Sequence, residues 1–176
     1  MKVYTRTKGA IRLLLLRRLQ PCSDVVPLMS DSLERRLRLG ERIDRLGIAR
    51  LGNRWTRTWR ELAVLPLVVD ESEQLCDIIY AHLMFHAGLL LLTDRRLVYI
   101  WFRMFRPGWD YETIALDTIT RIELNDQRKF GEMKIFFPDR FWTGEPRRYF
   151  HRMKHDEMQR FRSELAAQLE CIHPNG

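Results

Sequence analysis

The sequence predicts a mainly β fold, a small antiparallel barrel or sandwich closed by one amphipathic helix. Three observations predict it. Near Leu75 the apolar residues change from a spacing of three or four to a spacing of two. Seven short apolar or alternating stretches then follow, most of them about 8–12 residues apart and punctuated by turn-forming residues. After Asp156 the helical spacing returns.

Residues 1–28 carry Lys2, Arg6, Lys8, Arg12, Arg17 and Arg18 against Asp24 alone. The run Leu13-Leu14-Leu15-Leu16 is short and is closed by Arg17-Arg18, a poor match to a secretory signal. With Met29-Ser30-Asp31-Ser32 as an alternative start, residues 1–28 are expected to be a translated upstream stretch absent from the native protein or, failing that, a disordered arm. Peptides from this stretch recovered from native protein would overturn the first version. Residues 29–67 are read as a basic helical extension. Ser30-Asp31-Ser32 caps a helix over 33–46, with Leu33, Leu37, Leu39, Ile43 and Leu46 as its apolar stripe. Gly40 weakens that helix by about 1 kcal/mol, and Gly47 and Gly52 are expected to end or fray it. A second short helix over 55–65 places Trp55, Trp59, Leu62 and Ala63 at helical spacing, and Pro66 breaks it.

Strands are expected over 75–83, 89–93, 97–102, 109–116, 119–124, 133–137 and 147–153. Residues 84–88 form a hairpin loop, Thr93-Asp94-Arg95-Arg96 a polar turn, and Pro107-Gly108 a break. In the turn, Asp94 and Thr93 are expected to bond their own backbone, and Arg96 to lay its stem on Tyr99 or Trp101. The last helix runs from Asp156 to about Cys171. It turns Met158, Phe161, Leu165, Leu169 and Ile172 inward and Glu157, Arg160 and Glu164 outward.

Charge divides the chain. The net charge is +7, yet the first 60 residues hold 15 basic and 5 acidic groups, and the rest hold 15 and 18. An acidic partner is therefore expected to meet the amino-terminal third first. The candidate anionic-surface contacts are Arg35, Arg36, Arg38, Arg42, Arg45 and Arg50. A basic amphipathic helix of this kind lies on an anionic bilayer, on nucleic acid or in a partner's groove, or packs back on its own domain.

Enzyme chemistry is not expected. There is no Gly-rich phosphate loop and no GxSxG elbow. His82 and His86 have metal-like spacing but lack a nameable third ligand. Asp70, Glu71 and Glu73 are explained by a solvated turn. Cys22, Cys76 and Cys171 are far apart with no CxxC, which disfavours a disulfide framework or zinc site and fits a reduced cytosolic setting. The longest apolar runs, 63–69 and 97–102, fall far short of the roughly 18 residues a membrane-spanning helix needs. No catalytic residue, cofactor, metal or small-molecule substrate is predicted. Nucleic acid is disfavoured because no basic-aromatic RNP platform is present.

A family resemblance rests on three segments. Gly88-Leu89-Leu90-Leu91-Leu92-Thr93-Asp94-Arg95-Arg96-Leu97-Val98-Tyr99 resembles the hairpin signature of bacterial pleckstrin-homology-like (PH-like) domains, related to the GRAM type. Tyr111-Glu112-Thr113-Ile114-Ala115-Leu116-Asp117-Thr118-Ile119-Thr120-Arg121-Ile122 is similar to their strand leading into an I-xx-I strand. Val68-Val69-Asp70-Glu71-Ser72-Glu73 resembles the entry before their first strand. The resemblance spans 68–170, within a domain read as 68–173. It implies a barrel of seven antiparallel strands in two nearly orthogonal sheets with a C-terminal capping helix.

The resemblance also invites anionic-lipid binding near the first hairpin loop. Here Leu83-Met84-Phe85-His86-Ala87 lacks Lys and Arg, which speaks against inositol-phosphate recognition. The candidate loop contacts are Met84, Phe85, Arg95, Arg103 and Arg106. The function expected is a non-catalytic binding or scaffolding module acting through protein–protein or homo-oligomeric contacts in the cytoplasm. The alternative is a peripheral binder of anionic membrane lipid through the basic helices.

Overall fold

The computed structural model of the chain describes residues 33–52, 54, 58–102, 108–126, 130–138 and 147–173. Residues 1–28, with Arg103, Arg106 and Trp55, lie outside them. The order is α1 (Leu33–Leu51), α2 (Trp59–Val64), a 3-10 turn (Leu65–Leu67), then seven strands. These are β1 (Leu75–Leu83), β2 (His86–Thr93), β3 (Arg96–Phe102), β4 (Trp109–Ala115), β5 (Arg121–Asn125), β6 (Gly131–Phe136) and β7 (Arg147–Met153). Helix α3 (His155–Ile172) closes the chain.

All strand pairs are antiparallel, in the order β4-β3-β2-β1-β7-β6-β5. Seven antiparallel strands with a closing helix make the PH-like architecture the resemblance implies. The two expected sheets are halves of one curled sheet, joined where β1 meets β7 at His82↔His151 and Leu83↔Phe150. Pairing between β1 and β7 stops at these two positions, and α3 packs against the earlier part of β1 through Arg160. Met158, Phe161 and Leu165 of α3 pack with Ile79, Leu90, Tyr99, Met133, Ile135 and Phe150 in the inner core.

The outer face of the β1–β4 half is buried as well. Ile78, Leu89, Leu91, Val98, Ile100 and Trp109 form a second core with Leu39, Ile43 and Leu51 of α1 and Leu62 and Val64 of α2. Burial on both faces explains why Leu89-Leu90-Leu91-Leu92 reads as an unbroken apolar run where a half-exposed strand would alternate. Residues 33–67 are thus a third layer, packed back on the sheet.

Several boundaries moved. Helix α1 continues through Gly40 and Gly47, both buried, because packing of Leu39, Ile43 and Leu51 outweighs a cost of about 1 kcal/mol per glycine. It ends before Gly52, whose φ of +52° suits a residue without Cβ. The first hairpin is tighter than expected, with Leu83↔His86 closing a loop of two residues.

Three contacts assigned from sequence are corrected. Arg96 does not lie on Tyr99 or Trp101; it forks onto the carboxylate of Glu73 and donates to the Val68 carbonyl at 2.9 Å. Asp94 accepts from the backbone N–H of Gln74 at 2.9 Å, tying the turn to the start of β1, while Thr93 Oγ1 accepts from Arg95 and Arg96 as a turn hydroxyl does. Of Glu157, Arg160 and Glu164, all expected to face away, Glu157 is instead buried beside Arg54, whereas Arg160 and Glu164 stay partly exposed and reach Asp77 and Arg50. Their partners come from β1 and the helical layer, which the periodicity of α3 alone cannot register.

Candidate functional site

The β1–β2 hairpin ends in Met84 and Phe85, which are 69% and 88% exposed. A two-residue loop turns the chain within four residues, and Met84 adopts φ +54°, a region that favours glycine and costs other residues about 1–2 kcal/mol. Two side chains hold that backbone. The buried Tyr99 hydroxyl donates to the His86 carbonyl at 2.6 Å and accepts from the Leu83 N–H at 3.2 Å. Burial pushes the phenol well above its ordinary range, so it stays a donor. His151 Nε2 sits 2.8 Å from the Met84 carbonyl oxygen. Gly88 lets Tyr99 reach this position: a Cβ there would lie 2.1 Å from the Ile100 carbonyl oxygen and 3.0 Å from the Tyr99 ring.

Rings gather beneath the tip on both faces. On one face His86 lies against Trp101, which stacks on Tyr99. On the other, Tyr149, His151, His82 and Tyr80 follow one another at 5.5–5.6 Å between centroids, with the Arg54 guanidinium over Tyr80. Partial burial, then Arg152 and His151, lower the pKa of His82. The strands therefore separate His82 from His86 and bring His82 to His151, a partner 69 residues away that sequence spacing cannot reveal.

The six arginines of α1 do not form one free basic face. Arg35 and Arg38 lie 3.8 and 3.6 Å from Glu71, and Arg42 donates to the carbonyls of Glu71 and Glu73. Arg50 reaches the buried carboxylate of Asp77 at 3.4 Å and Glu164 at 3.7 Å. Arg45 donates to the Glu41 carbonyl one turn back, and Arg36 is half-buried. Arg95 is exposed in the β2–β3 turn, at the opposite end of β2 from Met84 and Phe85, about 24 Å along the strand. Of the candidate loop contacts, Met84 and Phe85 stand together and Arg95 lies at the other end of the sheet, while Arg103 and Arg106 lie outside the described residues.

The acidic cluster is the expected solvated turn only in part: Asp70 accepts from Ser72 N–H in an exposed turn, whereas Glu73 is drawn into the fold. Glu73 is 2% exposed; burial alone would raise its carboxyl, but Arg96, the Asp70 N–H and Thr93 outweigh it and hold the pKa below its ordinary value. Asp70 is held low by hydrogen bonds from Ser72. The carboxylates of Glu71 and Glu73 fasten the turn before β1 to α1 and β3. Among the described residues no group of three or more His, Cys, Asp or Glu stands where it could hold a metal ion. Likewise no described helix is long and apolar enough to cross a membrane.

No family model matches the sequence, and no curated protein matches it. Solved structures align with part of it. The Vps36 N-terminal PH domain aligns at 16% identity over 61% of this chain and 87% of its own, with a TM-score of 0.45. The hSac2 domain from human phosphoinositide phosphatase Sac2 aligns at 13% identity over 69% and 82%, with a TM-score of 0.47. The C-terminal domain of an unknown protein from Leishmania infantum aligns at 13% identity over 68% and 98%, with a TM-score of 0.41.

Proposed function

We propose that the chain is a non-catalytic binding or scaffolding module that docks a protein partner, or a second copy of itself, through the Met84–Phe85 hairpin tip. The observation that carries this reading is an exposed apolar pair on a backbone clamped by Tyr99 and His151. Burying such a side chain is worth about 1.5–3 kcal/mol, so leaving two exposed forgoes stability that a docked surface would recover. Rigid presentation lowers the ordering cost of association. Aromatic and Met side chains are also the types enriched at protein interfaces.

Support for the alternative, peripheral binding of anionic lipid through the basic helices, is weaker. The apolar face of α1 is spent on the sheet, and Arg35, Arg38, Arg42 and Arg50 have partners within the chain. The setting we propose is cytosolic.

A photo-crosslinking residue at position 85, with sedimentation across a concentration series, tests the reading. Discrete adducts or self-association are expected, and Phe85→Asp should abolish them without shifting the melting temperature. Association that survives Phe85→Asp, or sedimentation with anionic vesicles in place of protein contacts, would overturn it.

A further inference from the structure

His82 and His151 are direct cross-strand partners at the one described junction between the two halves of the sheet. Their ring centroids are 5.5 Å apart at an interplanar angle of 43°, and both side chains are half-exposed. Zinc–imidazole bonds of about 2.0–2.1 Å and a tetrahedral angle put two rings sharing one ion about 5 Å apart, centroid to centroid. The observed centroid separation is close to that spacing.

A second observation points the same way. Ligating histidines characteristically donate their other ring N–H to a carbonyl or carboxylate, which fixes the tautomer. His151 Nε2 already has the Met84 carbonyl oxygen at 2.8 Å. As a neutral imidazole it donates there and keeps its lone pair on Nδ1.

We propose that His82 and His151 form an open two-imidazole site for a divalent transition-metal ion, Zn²⁺, Ni²⁺ or Cu²⁺, with water in the remaining positions. Imidazole suits these ions, whereas Mg²⁺ and Ca²⁺ prefer oxygen. Arg152, close enough to depress His82, opposes a second positive charge and keeps the site weaker than a closed three- or four-ligand centre. Occupation would cross-link β1 to β7 beside the hairpin tip.

The test is calorimetric titration of the full chain with Zn²⁺ and Ni²⁺ at pH 7.5, alongside paramagnetic broadening of the imidazole resonances by substoichiometric Cu²⁺. One equivalent should bind. His82→Ala and His151→Ala should each weaken binding at least about tenfold, in line with the loss of a metal-supporting group. His86→Ala, His155→Ala and Cys171→Ser should leave it unchanged. The broadening needs no variant: Cu²⁺ should erase His82 and His151 first. Equal binding by the double variant His82→Ala/His151→Ala, or broadening that starts at His173 beside the exposed Cys171, would overturn the proposal.

Discussion

Tyr99 makes the first hairpin what it is, and a single oxygen atom is responsible. Its hydroxyl reaches the Leu83 N–H and the His86 carbonyl, the two groups that flank the loop. Tyr99→Phe removes both bonds and leaves the buried Leu83 N–H short of this partner, and a cost of about 1–3 kcal/mol in chemical denaturation is expected. An unchanged midpoint would show that the tip holds itself. His82 gives a second prediction. Its folded-state pKa is lowered, so the unfolded chain binds the proton more readily, and this group's contribution is lost as pH falls through the unfolded value of about 6.5. Denaturation midpoints at pH 7.5 and pH 5.5 should differ less in His82→Gln than in the parent. An identical slope in both would remove His82 from the acid response.

Among the elements, the helical layer governs what can be removed. Ile43 is fully buried between α1 and the sheet, so Ile43→Ala should cost about 2–5 kcal/mol. A chain truncated to begin at Glu61 would uncover Ile78, Leu89, Leu91, Val98, Ile100 and Trp109, and should bind hydrophobic dye and aggregate. A truncation that stays monomeric, dye-free and cooperatively folded would mean the barrel does not need α1. The buried Asp77 ties the layers together, since Arg160 of α3 and Arg50 of α1 both reach it. Arg160→Met removes the nearer partner from a fully buried carboxylate, and a loss of about 3 kcal/mol is expected by the same denaturation.

The strands were legible in the sequence because each is short, apolar and bounded by Pro, Gly or polar turn residues, as β3 is by Arg95 and Pro107. The closing helix was legible from Met158, Phe161 and Leu165. What stayed hidden depends on contacts across long separations: the Asp77–Arg160 pair is 83 residues apart, and Tyr99 reaches back to Leu83 across 16. Asp77, a lone acid before Ile78-Ile79, was the one local sign that a cation had to arrive from elsewhere. The exposed tip was named through Met84 and Phe85 because their loop carries no charge. Its backbone clamp and the His82–His151 pair had no local signature.

For the molecule as a whole, the sheet serves two cores at once, and that bears on how it unfolds. Leu89 and Leu91 belong to the outer core, while Leu90 and Leu92, their neighbours on the same strand, belong to the inner one. Losing either core exposes one face of β2 and weakens the other. The helical layer and the barrel should therefore melt as one unit, although the sequence divides their charge so unevenly. Tryptophan fluorescence, in which buried Trp109 reports on the outer core, should give the same guanidinium midpoint as far-ultraviolet circular dichroism. Ile43→Ala on one side and Phe161→Ala on the other should each lower that midpoint without changing the slope. Because Ile43 and Phe161 belong to different cores, their costs should add to within about 0.5 kcal/mol in the double variant. A biphasic curve, or a fluorescence transition well ahead of the dichroic one, would instead mean that α1 and α2 leave first. The helical layer would then be a detachable cover rather than the third layer of a single cooperative fold.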